Sequence, residues 1–393
     1  MRIAVLHWGF PPIIGGVETH LRILYPELIR MKHQVSLLTG SFPGVKNRYR
    51  YKGMDIFRTP LMDLNWLYER GMTNLGKDLA KTVRGFFDSA KPDIIHAHNM
   101  NYFSPVHAAI LKHEAFVRKV PLILTAHNAW DDNQFIQLTN AIGWDHIIAV
   151  SHFIKREVSG IGYPAGKITV IHHGIDLERF RNINKKDIYR KYPQLRNRRV
   201  IFHPARMGLA KGNDVSVKAL RLVKKKVPEA MLVMAGTKNI IDWGKTQQKD
   251  IAFILHLMRK FHLEDDILVN MFTVDEVAGI YAVADLSYYP SSVAEPFGLT
   301  MLESMASGKP MIVTRAGGMP EVIKNKVNGF VVSPRNHEAL ARKTIELLTN
   351  EKLRKKLGKT ALRMVREKYN KRKMAEKTIA VYEKVAERKN KAG

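Results

Sequence analysis

Thirteen short, β-rich apolar runs separated by stretches of helical period are the feature that most restricts what this chain can become. Seven fall in the first half: Ile3–Trp8, Gln34–Thr39, Asp55–Arg58, Ile94–Ala97, Leu122–Ala126, His146–Val150 and Ile168–His172. Six fall in the second: Val200–His203, Met231–Ala235, Ile267–Asn270, Leu286–Tyr289, Met311–Thr314 and Phe330–Val332. The separating segments are amphipathic; Val17, Leu21, Leu24 and Leu28 form one stripe of a helix expected over Val17–Met31. Strands that are apolar along nearly their whole length, alternating with helices, predict an α/β architecture of parallel sheets covered on both faces.

The alternation breaks once. Asp176–Arg199 is polar and basic with neither period, so a linker is expected near Leu177–Arg196. It divides the chain into two Rossmann-like domains, 1–178 and 179–370, facing each other across a cleft. A length of 393 residues fits two domains of roughly 150–200 each. A long helical tail is expected over about Arg363–Glu387, and no internal repeat is present.

Composition narrows the class. Apolar residues at 45% and charged residues at 25% are the balance of a soluble globular protein. The absence of cysteine excludes disulfides, thiolate metal sites and cysteine nucleophiles, and fits a reducing compartment. The formal net charge is +28, and Glu351–Gly393 carries 16 basic against 5 acidic residues. Such a surface favours anionic partners or is a lysine-rich solvated face; both readings stand at this level. No apolar run approaches the roughly 20 residues that a bilayer demands. The first run passes directly into a turn without a signal-peptide pattern, so a cytoplasmic protein is expected.

Several glycine patterns resemble phosphate loops. Gly71–Asp78 lacks the terminal hydroxyl and preceding strand of a P-loop, and Gly160, Gly162 and Gly166 precede a strand instead of following one, so both read as loops. The spacing of Gly9 and Gly15 does not fit dinucleotide binding. Gly15-Gly16 differs: it follows the first run through Pro11-Pro12 and opens a helix, where bare N–H groups and the helix dipole bind phosphate or simply make a tight turn. In the second half, Arg206 and Lys211-Gly212 follow the run Val200–His203, where open α/β sheets bind ligands. Arginine forks onto a diphosphate and lysine acts as a point charge. Glu295-Pro-Phe-Gly-Leu-Thr-Met-Leu-Glu303 follows the run Leu286–Tyr289. Pro296 suits a first helical turn, with the helix expected to run to Ser307 and stop at Gly308. Eight positions then make about two turns and turn both carboxylates to the cleft, where they suit sugar hydroxyls. Gly317-Gly318-Met319-Pro320-Glu321 supplies a turn after the next run.

Together these residues resemble the family 4 (group 1) retaining glycosyltransferases of the GT-B fold over nearly the whole chain. The resemblance rests on Gly15-Gly-Val-Glu18, Thr125-Ala-His127, Val150-Ser151, Gly174-Ile-Asp176, Arg206 with Lys211-Gly212, Glu295 through Glu303, and Gly317 through Glu321. The Glu-x7-Glu element is the most specific of them. His172-His173 departs from the family's common Pro-Asn.

The resemblance implies a nucleoside-diphosphate hexose as donor, an unnamed acceptor and no metal or other cofactor. Its donor-binding set is Gly15, Gly16, Arg206, Lys211, Glu295, Phe297, Gly298, Leu299 and Glu303. Gly16 would meet a donor phosphate, Arg206 and Lys211 the leaving diphosphate, Glu295 the sugar and Glu303 the ribose. His127 and Glu295 are the catalytic pair, with His127 beside the anomeric centre. The acceptor belongs to the first domain, where Trp8, His98, Tyr102, Asn128 and Trp130 are candidates. The last helix, from about 371 to 393, would cross back to that domain. The reaction would sit in the cytoplasm, with the basic surface peripheral to an anionic inner membrane face. A nucleotide-sugar epimerase or phosphorylase is the alternative within the fold, and a nucleic-acid binder the alternative outside it. The carboxylates of Glu295 and Glu303 argue against nucleic acid, since they repel a phosphate backbone.

Metal chemistry has no obvious seat in the sequence. Asp131-Asp132-Asn133 and Glu264-Asp265-Asp266 read as solvated loops. His7, His98, His127, His173 and His203 fall at or past strand ends, and His96 and His98 alternate on one strand. No third ligand follows at a characteristic spacing, so the histidines read as satisfied or cleft-lining groups.

Overall fold

A computed structural model describes residues 1–71, 74–130, 132–236 and 245–392, the side chains of 102, 245–247 and 390–392 apart. The chain forms two compact units, Met1–Gly174 with Lys371–Gly393, and Ile175–Asn370.

The first unit holds eight strands: β1 (Arg2–Leu6), β2 (Gln34–Gly40), β3 (Arg48–Tyr51), β4 (Met54–Thr59), β5 (Ile94–His98), β6 (Leu122–Ala126), β7 (His146–Ala149) and β8 (Ile168–Val170). Their order is β3-β4-β2-β1-β5-β6-β7-β8. All neighbours are parallel except β3, which lies antiparallel on β4. The all-parallel expectation therefore needs correcting at this edge. Tyr49 and Tyr51 are half-buried while Arg48 and Arg50 are exposed, so the strand has no apolar run to announce it. Strand order reverses between β1 and β5, a switch point of the kind where doubly wound sheets bind ligands.

The helix Lys371–Ala392 belongs to this first unit. Met374, Ala375, Ile379, Tyr382 and Val385 make one buried stripe in the same core as Leu21, Leu24 and Leu28 of the helix Gly16–Arg30. Burying each large apolar side chain contributes about 1.5–3 kcal/mol relative to exposure.

The second unit has β9 (Arg199–His203), β10 (Ala230–Ala235), β11 (Ile267–Asn270), β12 (Leu286–Tyr289), β13 (Met311–Thr314) and β14 (Gly329–Val332). They are parallel, in the order β11-β10-β9-β12-β13-β14. This is the doubly wound order of a Rossmann fold, with its reversal between β9 and β12.

Three expectations change. The expected linker is folded: Leu177–Phe180, Lys185–Lys191 and Pro193–Leu195 are helical turns of the second unit, and the division falls after Gly174. Phe180, Tyr192 and Leu195 anchor this segment in the interior, too sparsely to set a period. The single long tail is two helices, Glu351–Lys368 and Lys371–Ala392. Between them the backbone turns aside to pair with the start of the unit: the Ile175 N–H donates to the Tyr369 carbonyl at 2.8 Å. Finally, two glycine stretches read as loops contribute to helices. Gly76 opens Gly76–Ala90 and Gly160 closes His152–Gly160, while residues 72–73 of the first stretch lie outside the described residues. Among the described residues no helix is long and apolar enough to cross a membrane.

Candidate active site

At the reversal point of the second sheet, the segments after β9 and β12 carry the charged residues. The chain leaves β9 past half-buried Arg206 and makes one tight turn at Leu209–Lys211. Gly212 follows with φ +76°, and a Cβ there would lie 2.0 Å from the Pro290 carbonyl oxygen. Only glycine lets the two segments approach this closely. Their approach brings Lys211 Nζ to 2.7 Å from Glu295 Oε2, and the Tyr289 hydroxyl donates to the same oxygen at 2.6 Å. Lys211 Nζ also donates to Tyr289 Oη at 3.2 Å. Burial, then the adjacent Glu295 carboxylate, pushes the Tyr289 hydroxyl well above its ordinary pKa, so it stays a donor.

Glu295 is held by its backbone and not by a helix. It bridges to Gly317, and the Gly318 N–H donates to its carbonyl at 2.8 Å. Gly317 has φ +61°, and a Cβ there would lie 2.3 Å from the Glu295 oxygen. The helix begins only at Leu299, capped by Gly298 with φ +83°, and ends at Ala306. Pro296 therefore precedes the helix, and the two-turn argument for the glutamates does not hold. Phe297 is buried beneath the turn. Glu303, on the helix, accepts from the Tyr281 hydroxyl at 3.3 Å. Burial raises the Glu303 carboxyl pKa, while Arg179 and Tyr281 oppose the rise. Sequence reasoning missed Tyr281 and Tyr289, which end or precede expected strands as ordinary aromatic core residues.

In the first unit the same topological position carries imidazoles. His7, just past β1, is fully buried and meets Glu18 Oε1 through Nε2 at 3.0 Å. Gly9 and Gly15 make room for that carboxylate: a Cβ on either would lie within 2.6 Å of it. A Cβ on Gly16 would meet nothing within 4 Å, although this residue opens the helix Gly16–Arg30. Past β6, His127 Nε2 sits 2.8 Å from His98 Nδ1, at the end of β5. His98 Nε2 is 2.5 Å from the Tyr25 hydroxyl, which is 3.0 Å from His96 Nδ1. His96 continues to Tyr382 at 2.5 Å and to Thr125 Oγ1 at 2.7 Å. His20 Nδ1 is 2.9 Å from His173 Nδ1, and the His173 ring stacks on His127 with centroids 5.3 Å apart. Burial lowers His20 and His96 to about 3 and His98, His127 and His173 well below the ordinary value, so all five are neutral at pH 7. His203, in the second unit, is a buried core residue bonded to Ser216 Oγ at 3.0 Å and lowered to about 3 by burial.

A family model described as Glycosyltransferase Family 4 matches residues 14–179, and one described as Glycosyl transferases group 1 matches residues 184–364. The chain belongs to the group 1, family 4 glycosyltransferases. It is 28% identical to a glycosyltransferase of Methanocaldococcus jannaschii, covering 97% of this chain and 98% of that one. It is 27% identical to the N-acetyl-alpha-D-glucosaminyl L-malate synthase of Bacillus anthracis, covering 95% and 94%. Among solved structures it is similar to a glycosyltransferase from Rickettsia africae, with TM-score 0.83, 22% identity and 98% of each chain covered. It also matches Anabaena HepE in complex with UDP and glucose, with TM-score 0.78, 18% identity and 98% and 100% covered. These neighbours have the GT-B fold.

On the side of the glycosyltransferase expected to receive an acceptor, the candidates are not alike. Trp8, Asn128 and Trp130 are half-buried, and Trp130 stacks edge-on against Phe135. His98 is 1% exposed with both ring nitrogens engaged, so it stands behind His127 instead of facing a ligand. The Tyr102 side chain lies outside the described residues. The acidic clusters do other work. Asp132 caps the helix Asn133–Ala141, and Asp266 is paired with Lys224 and Arg198. Asp131 lies outside the described residues.

Proposed function

We propose that the protein is a retaining, metal-independent hexosyltransferase that moves a sugar from a nucleoside diphosphate to a hydroxyl acceptor. The observation that carries this reading is the meeting of Lys211, Tyr289 and Glu295 at the reversal point of the second sheet. A cation beside a carboxylate matches a donor in which a diphosphate adjoins a ring of hydroxyls. Lys211 and Arg206 neutralise the diphosphate as it leaves, the task that a metal ion performs elsewhere. Glu295 turns to the sugar hydroxyls, and Glu303 to the ribose diol. Gly16, open at a helix start, offers its N–H to a phosphate. His127, neutral, hydrogen-bonds the sugar beside the reacting carbon.

In the step itself the bond from the anomeric carbon to the phosphate oxygen breaks. The acceptor oxygen bonds to that carbon on the same face, and its proton passes to the departing phosphate. The products are a glycoside and a nucleoside diphosphate. HepE, on the same fold, was solved with UDP and glucose, which makes UDP-hexoses the first donors to try.

The test is a thermal-shift screen of UDP-, GDP- and ADP-sugars followed by rate measurements. A cognate donor at 100 times its Kd should add about 2.7 kcal/mol of apparent stability. No shift and no turnover with any nucleotide sugar would reject the reading. We place the enzyme in the cytoplasm, against anionic lipid, on the strength of exposed Arg372, Lys373, Lys377, Lys384 and Arg388 along its last helix. Each cation adjacent to such a membrane adds about 1 kcal/mol. Co-sedimentation with anionic vesicles at low salt, weakening at physiological salt, is expected; absence at both would leave these residues a solvated face.

A further inference from the structure

The first unit gathers three imidazoles from separate elements. His20 comes from the helix Gly16–Arg30, His98 from the end of β5 and His127 from just past β6. One ring nitrogen of each lies within 4.8 Å of those of the other two, and all three residues are buried. The hydrogen bonds show how the rings are held. His98 is held at Nε2 by Tyr25 and at Nδ1 by His127 Nε2, 2.8 Å away, a bond that an ion between the two would replace. His20 is held at Nδ1 by His173, leaving Nε2, which is buried and has no hydrogen-bond partner. A buried polar atom without a partner is costly to the fold, and a bound ligand would remove that cost.

We propose that His20 Nε2, His98 Nδ1 and His127 Nε2 bind a divalent transition-metal ion, with solvent completing the shell. Three imidazoles with one open position make a familiar zinc geometry. A set without carboxylate or thiolate selects zinc, cobalt, nickel or copper over magnesium and calcium. Tetrahedral bonds of about 2.0–2.1 Å separate neighbouring nitrogens by about 3.3 Å. The His98–His127 pair therefore opens by about half an ångström and exchanges one hydrogen bond for two metal bonds. Tyr25 and His173 each hold the far nitrogen of a ligand, the arrangement that orients metal-bound histidines. The three ligands lie far apart in sequence and come from different elements, so no linear motif reveals them.

The ion would occupy the Nε2 of His127 and so inhibit transfer. That consequence, but not the binding, rests on the function proposed above.

The test uses the full-length protein freed of metal and titrated with cobalt(II) chloride, followed by visible ligand-field absorption. One ion per chain is expected. Saturation should be lost in His20→Gln and in His127→Gln and kept in His113→Gln, a variant of an exposed histidine in the same unit. His173→Ala should weaken binding about 10- to 100-fold. Zinc should displace the cobalt and raise the Tm of the wild type but not of His20→Gln. Melting curves without metal establish that each variant folds, and His127→Gln carries the test alone if His20→Gln does not. Absence of a saturable signal, or an isotherm unchanged in the folded ligand variants, would overturn the site. Stoichiometric binding with transferase activity intact would uphold the site and overturn the placement of His127 beside the donor sugar.

Discussion

The two sheets put their polar groups in the same place, past the strand ends beside the reversal of strand order, and fill that place with opposite chemistry. In the first unit it holds imidazoles and tyrosines that burial keeps uncharged. In the second it holds a lysine, an arginine and two glutamates, with tyrosine hydroxyls turned toward the carboxylates. Desolvating a charge is expensive unless it is compensated, so the charges stand where partners are at hand and the deeply buried cluster remains neutral.

Acid should separate the units most strongly. His20 and His96 are lowered to about 3, and His107 and His146 to about 4, all chiefly by burial. In the second unit His203 is the one described histidine that burial lowers. Below about pH 6.5 the unfolded chain binds protons that the folded chain refuses. Stability contributed by these neutral histidines is full above that pH and is lost as pH falls toward 4. Each refused proton costs about 1.4 kcal/mol per pH unit. Above about pH 4.5 the effect belongs to the histidines; below it Glu276, lowered to about 2 with help from Lys191 and Thr273, begins to lose its contribution as well. Hydrogen exchange, corrected for intrinsic rate, should show the first unit losing protection before the second between pH 6.5 and 4.5. Simultaneous loss, or the reverse order, would break the comparison.

Glycines sharpen it on a smaller scale. Gly317→Ala forces a side chain into a left-handed conformation and against the Glu295 backbone, so it should cost about 1–3 kcal/mol and disturb Glu295. Gly16→Ala meets open space. Its Tm should stay near the wild type while donor KM rises, if the helix start receives a phosphate. A destabilised Gly16→Ala with unchanged KM would make that glycine a structural residue only. The smallest expected effect is none: exhaustive chelation should not lower the rate, if Lys211 and Arg206 take the part of a cation as proposed. Loss with chelator and rescue by magnesium or manganese would overturn that assignment.

Much of this organisation was legible in the residues. All thirteen expected runs are strands, because a strand covered on both faces must be apolar along its length. The strand Arg48–Tyr51 escaped because an edge hairpin buries only one face, here two tyrosines between exposed arginines. The positions of Arg206, Lys211 and Glu295 past strand ends were readable. Their mutual geometry was not, because Glu295 is set by Gly212 approaching Pro290 and by its own bridge to Gly317, both distant in sequence. The imidazole cluster was hidden for the same reason: His20, His98, His127 and His173 lie on four different elements, and only the sheet order brings them together.

The central claim is that Glu295 acts where the bond breaks and Glu303 merely holds the nucleotide. Initial-rate kinetics of Glu295→Ala and Glu303→Ala with the cognate donor test it most directly, after melting curves confirm both folds. Contacts that strengthen as charge develops on the sugar appear in kcat, whereas uniform binding appears in KM. A lost hydrogen bond to a charged group, about 1.5–3 kcal/mol, corresponds to about 10- to 150-fold. Glu295→Ala should lower kcat by that factor with donor KM little changed, and Glu303→Ala should raise donor KM by that factor with kcat nearly intact. A normal kcat in Glu295→Ala, or the two phenotypes exchanged, would contradict the account.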